Sequence, residues 1–406
     1  MTEKSRLAQT SAYFSAFVAV GLCMAALGPT LPGLARQAHV TDRGISYLFT
    51  LRLFGLLVGS LLSAPLYDRL PGHPVMGAMI VVMSAANLAI PFAPNLATLM
   101  AAMLVLGATE GGIDVGGNTL LIWIHGKRVP PYMNALHFFY GAGTLISPLI
   151  VAKALQVKGD TRFAYFVIAM LVLPAGALLV ARRSPIRPSQ NRGESTGSVV
   201  KVDVQPMGGT LTVITLLSLL LCFYVGAEIS FGGWIYTYVV RTKLGDESLA
   251  AYITSIFWAS FTIGRLTGIG LAARLRPRMI LLMDLIGCFA ALGLALASPY
   301  RASAITIASA GIGLSMASFY PTAMTFAAHR VKITGRVTSV LVVGGSIGGM
   351  IIPLVIGQLF DSMGPRILLV TVLAALALAL IVYLVVAPHS LPIEAGCGNE
   401  VRRAAK

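Results

Sequence analysis

The feature that most constrains this chain is a series of twelve apolar segments, each close to the length that an α-helix needs to cross a bilayer. A spanning helix requires about 20 apolar residues, because the hydrocarbon core is about 30 Å thick. The loops between most segments are short. The pattern therefore predicts an all-α membrane protein with crossings at roughly 11–35, 45–67, 75–93, 97–123, 131–153, 162–182, 209–240, 249–273, 279–298, 302–328, 335–359 and 367–387.

Charged residues make up only 11% of the chain, whereas soluble proteins carry about 25%. The formal net charge is +15, but the Lys and Arg residues are scattered in short clusters without interleaved aromatic residues. This distribution argues against a nucleic-acid partner. The basic residues are more frequent in the loops on the N-terminal side of the membrane, which predicts that both termini are cytoplasmic.

A polar, Ser- and Pro-containing stretch at 183–208 divides the chain into two sets of six segments. We therefore expect an N-terminal bundle at 1–182, a cytoplasmic linker at 183–208, a C-terminal bundle at 209–388 and a short cytoplasmic tail at 389–406. The halves resemble repeats, since a shift of 205 residues places Gly59 on Gly264 and Arg69 on Arg274. Parallel six-helix repeats are a known transporter arrangement, with the binding site between the halves near the bilayer midplane.

The sequence offers no metal or catalytic motif. The four cysteines, Cys23, Cys222, Cys288 and Cys397, have no CxxC spacing and are interpreted as small apolar residues. The sequence contains neither a Walker A phosphate-binding loop nor a GxSxG nucleophile elbow, and its Gly-Gly pairs lie inside apolar helical segments rather than after a strand. A membrane enzyme acting on lipids would need a nucleophile with its base, or a metal cluster. We therefore expect neither an enzyme nor a metal or organic cofactor.

Two acids lie inside the fourth apolar segment, in "GATEGGIDVGGNTLLIW" (Gly107–Trp123). A charged side chain at the centre of a bilayer costs roughly 2.5–3.5 kcal/mol, so its presence needs a reason. Helical spacing places Glu110, Asp114 and Asn118 on one face. Their oxygen atoms could exchange a proton or hold Na⁺, or one acid could simply neutralise Arg52 in the second segment. We predict that Glu110 or Asp114 pairs with Arg52 and that all three couple transport to a cation.

Three further charges lie inside apolar segments of the second half. Arg265 and Asp284 fall at matching depths on two consecutive segments, which predicts a buried structural ion pair. Glu228 has no evident basic partner in its own half. We therefore predict that Glu228 faces the opposite bundle and contacts substrate or takes part in gating.

The whole chain resembles the major facilitator superfamily. "GSLLSAPLYDRLPGHP" (Gly59–Pro74) is similar to that family's loop signature, carried here by Asp68, Arg69 and Gly72, although Ala64 and His73 depart from it and Pro71 is extra. Three stretches, Asn134–Ile150, Tyr224–Tyr238 and Gly313–Ala327, resemble the fucose–proton symporter family, in particular its sodium-dependent glucose transporter-like branch. That family also carries an acid in the fourth helix, where Glu110 falls. Its sugar–proton members carry another acid in the first helix, which has none here.

The resemblance implies a sugar substrate. Aromatic rings could cover the apolar face of a sugar, and amides, a carboxylate or an imidazole could bind its hydroxyls. Aromatic residues in membrane helices also pack against neighbouring helices, and His137 could either titrate or hydrogen-bond a carbonyl. The candidates for substrate contact are Asn118, Asn134, His137, Tyr140, Glu228, Trp234, Trp258 and Phe319.

These observations predict a secondary transporter with two six-helix bundles that moves a monosaccharide or similar solute together with H⁺ or Na⁺ by alternating access. An exporter that exchanges protons for amphipathic compounds is the alternative, and a sugar sensor is a third interpretation. The expected partners are a small-molecule substrate and the lipid bilayer, with the chain acting as a monomer. The expected location is a bacterial cytoplasmic (inner) membrane.

Overall fold

The computed structural model describes residues 3–185, 208–331 and 335–388. Within these ranges the secondary structure is helical. Two short 3₁₀ turns, Ile90–Phe92 and Gly126–Arg128, follow the fourth and fifth helices. The helices are α1 (Glu3–Gln37), α2 (Asp42–Ile45), α3 (Tyr47–Arg69), α4 (Gly72–Ala89), α5 (Leu96–His125), α6 (Pro130–Lys158), α7 (Arg162–Val180), α8 (Gly208–Arg241), α9 (Glu247–Ala272), α10 (Pro277–Ala297), α11 (Ala302–Met316), α12 (Phe319–Ala328), α13 (Gly335–Met363) and α14 (Ile367–Val386).

The described residues form 12 spans that are long and apolar enough to cross a membrane. The predicted all-α membrane fold is therefore confirmed, and most predicted ends lie within a few residues of the observed ones. Six spans precede residue 186 and six follow residue 207, and we call these two sets the N-half and the C-half. The predicted linker lies largely, and the predicted tail wholly, outside the described residues.

The tenth span, Ala302–Ala328, is broken rather than continuous. It consists of α11 and α12, which are separated by Ala317 and Ser318. Pro321 has no backbone N–H, so it cannot bond to the carbonyl of Ala317 one turn earlier. The break therefore has a local cause in the sequence, and it places Ser318 and Phe319 inside the C-half.

Close backbone contact joins α3 to α5 in the N-half. A Cβ atom added at Gly107 would lie 1.8 Å from the backbone oxygen of Arg52, and one at Gly59 would lie 2.0 Å from that of Ala108. Small residues allow membrane helices to approach this closely. Because the two helices touch along these glycines, Arg52 on α3 and Glu110 on α5 are brought to the same depth.

The molecule has two ends, which we name from the chain. The linker end holds the start of α1 and the end of α7, and the far end is the opposite one. At the far end, Arg241 forms an ion pair with Asp42 across the halves, and Arg43 donates to Gln358 at 2.8 Å. Further hydrogen bonds and ion pairs join the two halves in the far-end portion of the spans. The halves are thus closed together at the far end.

Candidate functional site

A buried ion pair lies at the centre of the N-half. The Arg52 guanidinium donates to both carboxylate oxygens of Glu110, with Nε 3.0 Å from Oε2 and a second, shorter bond from Nη2 to Oε1. A third bond runs from Nη1 to the backbone oxygen of Met24 at 3.4 Å. The two charged side chains are only 4% and 2% exposed. The predicted contact between Arg52 and an acid of α5 is confirmed, and Glu110 is the partner; their role in cation coupling stays a prediction.

Asp114 lies one turn from Glu110 on α5, nearer to the linker end. Its side chain is exposed, and its recorded partner is Asn118, whose Nδ2 donates to Asp114 Oδ1 at 3.1 Å and to its backbone oxygen at 2.8 Å. The charge of Asp114 also acts on the hydroxyl of Tyr320 on α12, in the other half. Asp114 therefore faces the space between the halves, on the linker-end side of Glu110.

The helix α6 lines the same central space. Asn134 is exposed and His137 is half-buried, with its ring edge-on to Phe17 at a centroid distance of 5.9 Å. The ring of Tyr140 lies 5.9 Å from Cζ of Arg265, which belongs to the other half. The Tyr140 hydroxyl also senses the charges of Arg52, Glu110 and Glu228. Tyr140 thus lies between the charged groups of the two halves.

The predicted ion pair between Arg265 and Asp284 is wrong. The Arg265 guanidinium lies over the ring of Phe261, with Cζ 4.7 Å from its centroid. Asp284 instead accepts hydrogen bonds from Ser318 Oγ at 2.8 and 2.9 Å. The prediction assumed that consecutive spans are neighbours. In the structure α9 packs mainly against α6 and α11, whereas α10 packs against α11 and α12.

Arg265 interacts electrostatically with Glu228 instead. The positive charge of Arg265 is close enough to act on the Glu228 carboxylate, and the hydroxyl of Tyr224 also interacts with that carboxylate. The expectation that Glu228 has no basic neighbour in its own half is therefore corrected. The two halves each contribute one acid and one arginine to the centre of the protein, Glu110 with Arg52 and Glu228 with Arg265.

Two of the predicted aromatic contacts are packing elements in this conformation. Trp234 is fully buried, donates from Nε1 to the backbone oxygen of Pro353 at 3.1 Å, and stacks on Phe360. Phe319 is also buried and stacks on Tyr224 at a centroid distance of 4.1 Å. Both rings are covered by protein in this conformation, Phe319 within the C-half and Trp234 also against Phe49 of the N-half.

Comparison with known proteins decides the family. A family model described as Major Facilitator Superfamily matches residues 13–353, which is most of the chain. The chain belongs to the major facilitator superfamily. It is a membrane transporter of this superfamily and not an enzyme, and the described residues contain no group of acidic, His and Cys side chains that could hold a metal ion.

Curated relatives within the superfamily match nearly the whole chain. "Sodium-dependent glucose transporter 1" of Xenopus laevis is 28% identical over 389 residues, which cover 89% of this chain and 78% of the relative. "Major facilitator superfamily domain-containing protein 4A" of Mus musculus is 25% identical and covers 94% of this chain and 92% of the relative.

Solved structures share the fold at low sequence identity. The nucleoside transporter NupG superposes with a TM-score of 0.74 at 11% identity, covering 94% of this chain and 98% of that one. A bacterial homologue of the human lysosomal transporter Spinster, in an inward-facing and occupied conformation, gives 0.71 at 14% identity, covering 96% and 98%. These similarities establish the major facilitator fold for this chain.

The loop signature of the superfamily lies at the linker end, between α3 and α4. Asp68 and Arg69 are exposed at the end of α3, and Gly72 begins α4. A Cβ atom at Gly72 would lie 2.6 Å from the side chain of Leu120. The next residue, His73, is fully buried, and its Nε2 is 2.7 Å from the hydroxyl of Tyr13. The signature therefore joins α4 tightly to α1 and α5.

Two charged residues of this transporter escaped the sequence analysis. Asp42 and Arg241 were not singled out, because each lies at a helix end where exposed charges are ordinary. One signal was present: Asp42 opens the second span and Arg241 closes the seventh, so both lie at the same predicted face of the membrane. Charges at the same depth on different halves are candidates for a pair that holds the halves together.

Proposed function

We propose that this transporter moves a monosaccharide or a similar small polar solute together with H⁺ or Na⁺ by alternating access. The observation that carries this proposal is the arrangement on α5. Glu110 is buried and bonded to Arg52, while Asp114, one turn closer to the linker end, is exposed and has an amide rather than a cation beside it.

This arrangement suits a two-step capture of the cation. An incoming H⁺ or Na⁺ first meets Asp114, where the carboxylate and the side-chain oxygen of Asn118 supply the oxygen ligands that hard cations prefer. Transfer to Glu110 then competes with Arg52. Removing one partner from a buried pair is unfavourable by about 3–5 kcal/mol, so the release of Arg52 requires a new partner, and the solute is that partner in our proposal.

A polar solute fits the side chains around the central space. Asn118, Asn134 and His137 supply hydrogen-bonding groups on the N-half, and Tyr140 lies among the charges of the two halves, of which Glu228 is one. The names of the relatives, which are sodium-dependent glucose transporters, support a sugar and are consistent with sodium coupling. We further propose that the chain acts as a monomer in a bacterial cytoplasmic membrane, with the linker end in the cytoplasm.

The test is uptake into proteoliposomes with a panel of labelled sugars, under separate H⁺ and Na⁺ gradients. We expect one gradient to drive accumulation of a sugar in the parent protein. Glu110→Gln should lose this accumulation but retain exchange of solute without a gradient, and Asp114→Asn should require a higher cation concentration. Asp160→Asn is the matched control, because it removes a partly exposed carboxylate whose partner, Arg162, lies two residues away at the start of α7.

Three outcomes would contradict the proposal. Accumulation by Glu110→Gln equal to that of the parent would remove Glu110 from the coupling step. Accumulation that neither gradient drives would remove cation coupling altogether. Transport of amphipathic compounds out of the vesicle interior, with no sugar transported, would favour a proton-coupled exporter.

A further inference from the structure

A small cavity lies between the halves, on the far-end side of the Arg52–Glu110 pair. Its volume is about 30 Å³, which exceeds the space that one water molecule or one hydroxyl group needs. Its walls come from α1 and α3 of the N-half and from α8 and α9 of the C-half. The lining residues that matter here are Gly28, Arg52, Gly232, Gly233 and Trp258. We call it the seam cavity.

The indole N–H of Trp258 lacks an acceptor. Trp258 is 5% exposed, and its Nε1 is a buried polar atom for which the described residues provide no hydrogen-bond partner. Buried donors are almost always paired, because an unpaired one loses its hydration without compensation. Trp234, the residue that follows Gly233, shows the ordinary arrangement, since its N–H donates to the backbone oxygen of Pro353. Trp258 lines the seam cavity, so an acceptor atom bound there would satisfy this N–H.

Arg52 contributes further donors to the same wall. A guanidinium has five N–H groups, and Arg52 uses three of them, two for Glu110 and one for Met24. Both polar side chains of the seam cavity are therefore hydrogen-bond donors. A cavity with donors on its polar walls selects an acceptor atom, such as the oxygen of a hydroxyl, an ether or a carbonyl group.

Glycine contacts give the seam cavity its shape. A Cβ atom at Gly28 would lie 2.9 Å from the backbone oxygens of Gly232 and Gly233, and one at Gly232 would lie 2.8 Å from the Trp258 ring. The halves are thus in backbone contact beside the cavity. Because each half supplies part of the wall, rocking of the halves that opens the far end must widen the seam cavity.

We propose that the seam cavity is a substrate subsite in which Trp258 is a specificity-determining residue. Its indole N–H, together with Arg52, binds one acceptor oxygen of the transported solute. The solute then contacts Arg52 from the side opposite to Glu110, so solute binding and release of the Arg52–Glu110 pair are directly linked. This inference rests on the proposed transport of an oxygen-bearing solute.

The test compares Trp258→Phe with the parent in proteoliposome uptake, using a sugar that the parent transports and its monodeoxy analogues. We expect the KM of Trp258→Phe for the full sugar to rise about tenfold, because one hydrogen bond to a buried group is lost. The kcat should change less than twofold. The parent should reject one monodeoxy analogue, and Trp258→Phe should accept that analogue as well as the full sugar. Trp258→His, which keeps a ring N–H, should restore part of the discrimination.

Trp234→Phe is the matched control, because it removes an indole N–H that already has a protein acceptor. It should lower the unfolding temperature and leave the ratio of KM values for sugar and deoxy analogues unchanged. The proposal is overturned if Trp258→Phe keeps the discrimination of the parent, or if Trp234→Phe loses it equally.

A second measurement uses the unaltered protein and does not depend on the folding of any variant. The chain has three tryptophans, so ¹⁵N labelling of the indole nitrogens gives three resonances. Addition of the transported solute should shift one of them, which the Trp123→Phe and Trp234→Phe spectra assign to Trp258 by elimination. If the parent transports a solute but none of the three resonances shifts, the subsite is wrong while transport stands. If the parent transports only solutes without an acceptor oxygen, both this subsite and the sugar assignment are wrong.

Discussion

Arg241, the last residue of α8, forms an ion pair with Asp42, the first residue of α2, and so joins the two halves at the far end. The Asp42 side chain is 2% exposed, whereas that of Arg241 is 50% exposed. The buried Asp42 carboxylate is therefore the group that would lack a compensating charge if the pair were broken. If far-end opening separates the halves, it has to separate these two charges, which makes the pair a contributor to the closed far end.

We predict that Arg241→Gln shifts the protein towards a conformation open at the far end. An ion pair with one exposed partner is worth about 1 kcal/mol, which corresponds to a roughly fivefold change in population. Leu53, which lines the seam cavity, is the reporter position. In a background without the native cysteines, Leu53→Cys should react faster with an impermeant thiol reagent added at the far side when Arg241→Gln is present.

The control for this experiment is Arg162→Gln, which breaks an ion pair with Asp160 that also lies at the far end but within the N-half. It should leave the labelling rate of Leu53→Cys unchanged. Equal labelling with and without Arg241→Gln, or equal acceleration by Arg162→Gln, would exclude a role for the cross-half pair in closure.

A second prediction concerns the stability of the Arg52–Glu110 pair. Arg52→Met leaves Glu110 buried without its cation, and we expect a loss of about 3–5 kcal/mol. Replacing both groups by apolar residues, as in Arg52→Met with Glu110→Leu, should recover most of this loss, because no uncompensated charge remains. Unfolding temperatures of the purified variants in one detergent provide the measurement. A double variant whose loss equals the sum of the two single losses would show that the pair is not coupled.

The fold could be predicted from the sequence because the bilayer sets the length of each apolar segment. Twelve crossings and most of their ends follow from that single constraint. The break between α11 and α12 was missed, although its cause, Pro321, stands in the sequence. Proline inside a membrane helix is often tolerated, and Pro29, Pro65 and Pro353 lie within continuous helices of this chain. Whether a proline breaks a span depends on the packing around it.

The candidate site was predictable only in part. The sequence limited the partner of Arg52 to two acids, Glu110 and Asp114, which lie four residues apart at a similar depth. The rotation of α3 about its axis, which the sequence does not give, decided that the partner is Glu110. The Arg265–Asp284 pairing failed because matching depth does not establish which spans are neighbours. The unpaired N–H of Trp258 had no signal in the sequence at all, since it is a property of the packed interface.

A third prediction tests whether Glu228 and Arg265 act as a unit in transport. Arg265 acts electrostatically on Glu228, so loss of either residue removes the same interaction. We expect Glu228→Gln and Arg265→Gln each to reduce the initial uptake rate about tenfold, and the double variant to be little slower than either one, since effects of coupled residues are not additive. Asp284→Asn is the control. It alters a buried carboxylate bonded to Ser318 and should change stability without changing KM. Multiplicative losses in the double variant would show that the two residues act independently.

The last prediction compares two glycines in helices with opposite surroundings. A Cβ atom at Gly107 would lie 1.8 Å from the backbone oxygen of Arg52, whereas one at Gly293 would meet nothing within 4 Å. Gly107→Ala must force α3 away from α5 and should destabilise the protein by at least about 1–3 kcal/mol, as overpacking of a tight contact does. Gly293→Ala should instead stabilise α10 by up to about 1 kcal/mol, because alanine is the better helix former.

Since the displacement of α3 also moves Arg52 relative to Glu110, Gly107→Ala should lose gradient-driven uptake even in protein that remains folded. Unfolding temperature and uptake, measured on the same preparations, separate the two effects. Equal stability of the two variants would show that α3 and α5 are not in backbone contact at this depth.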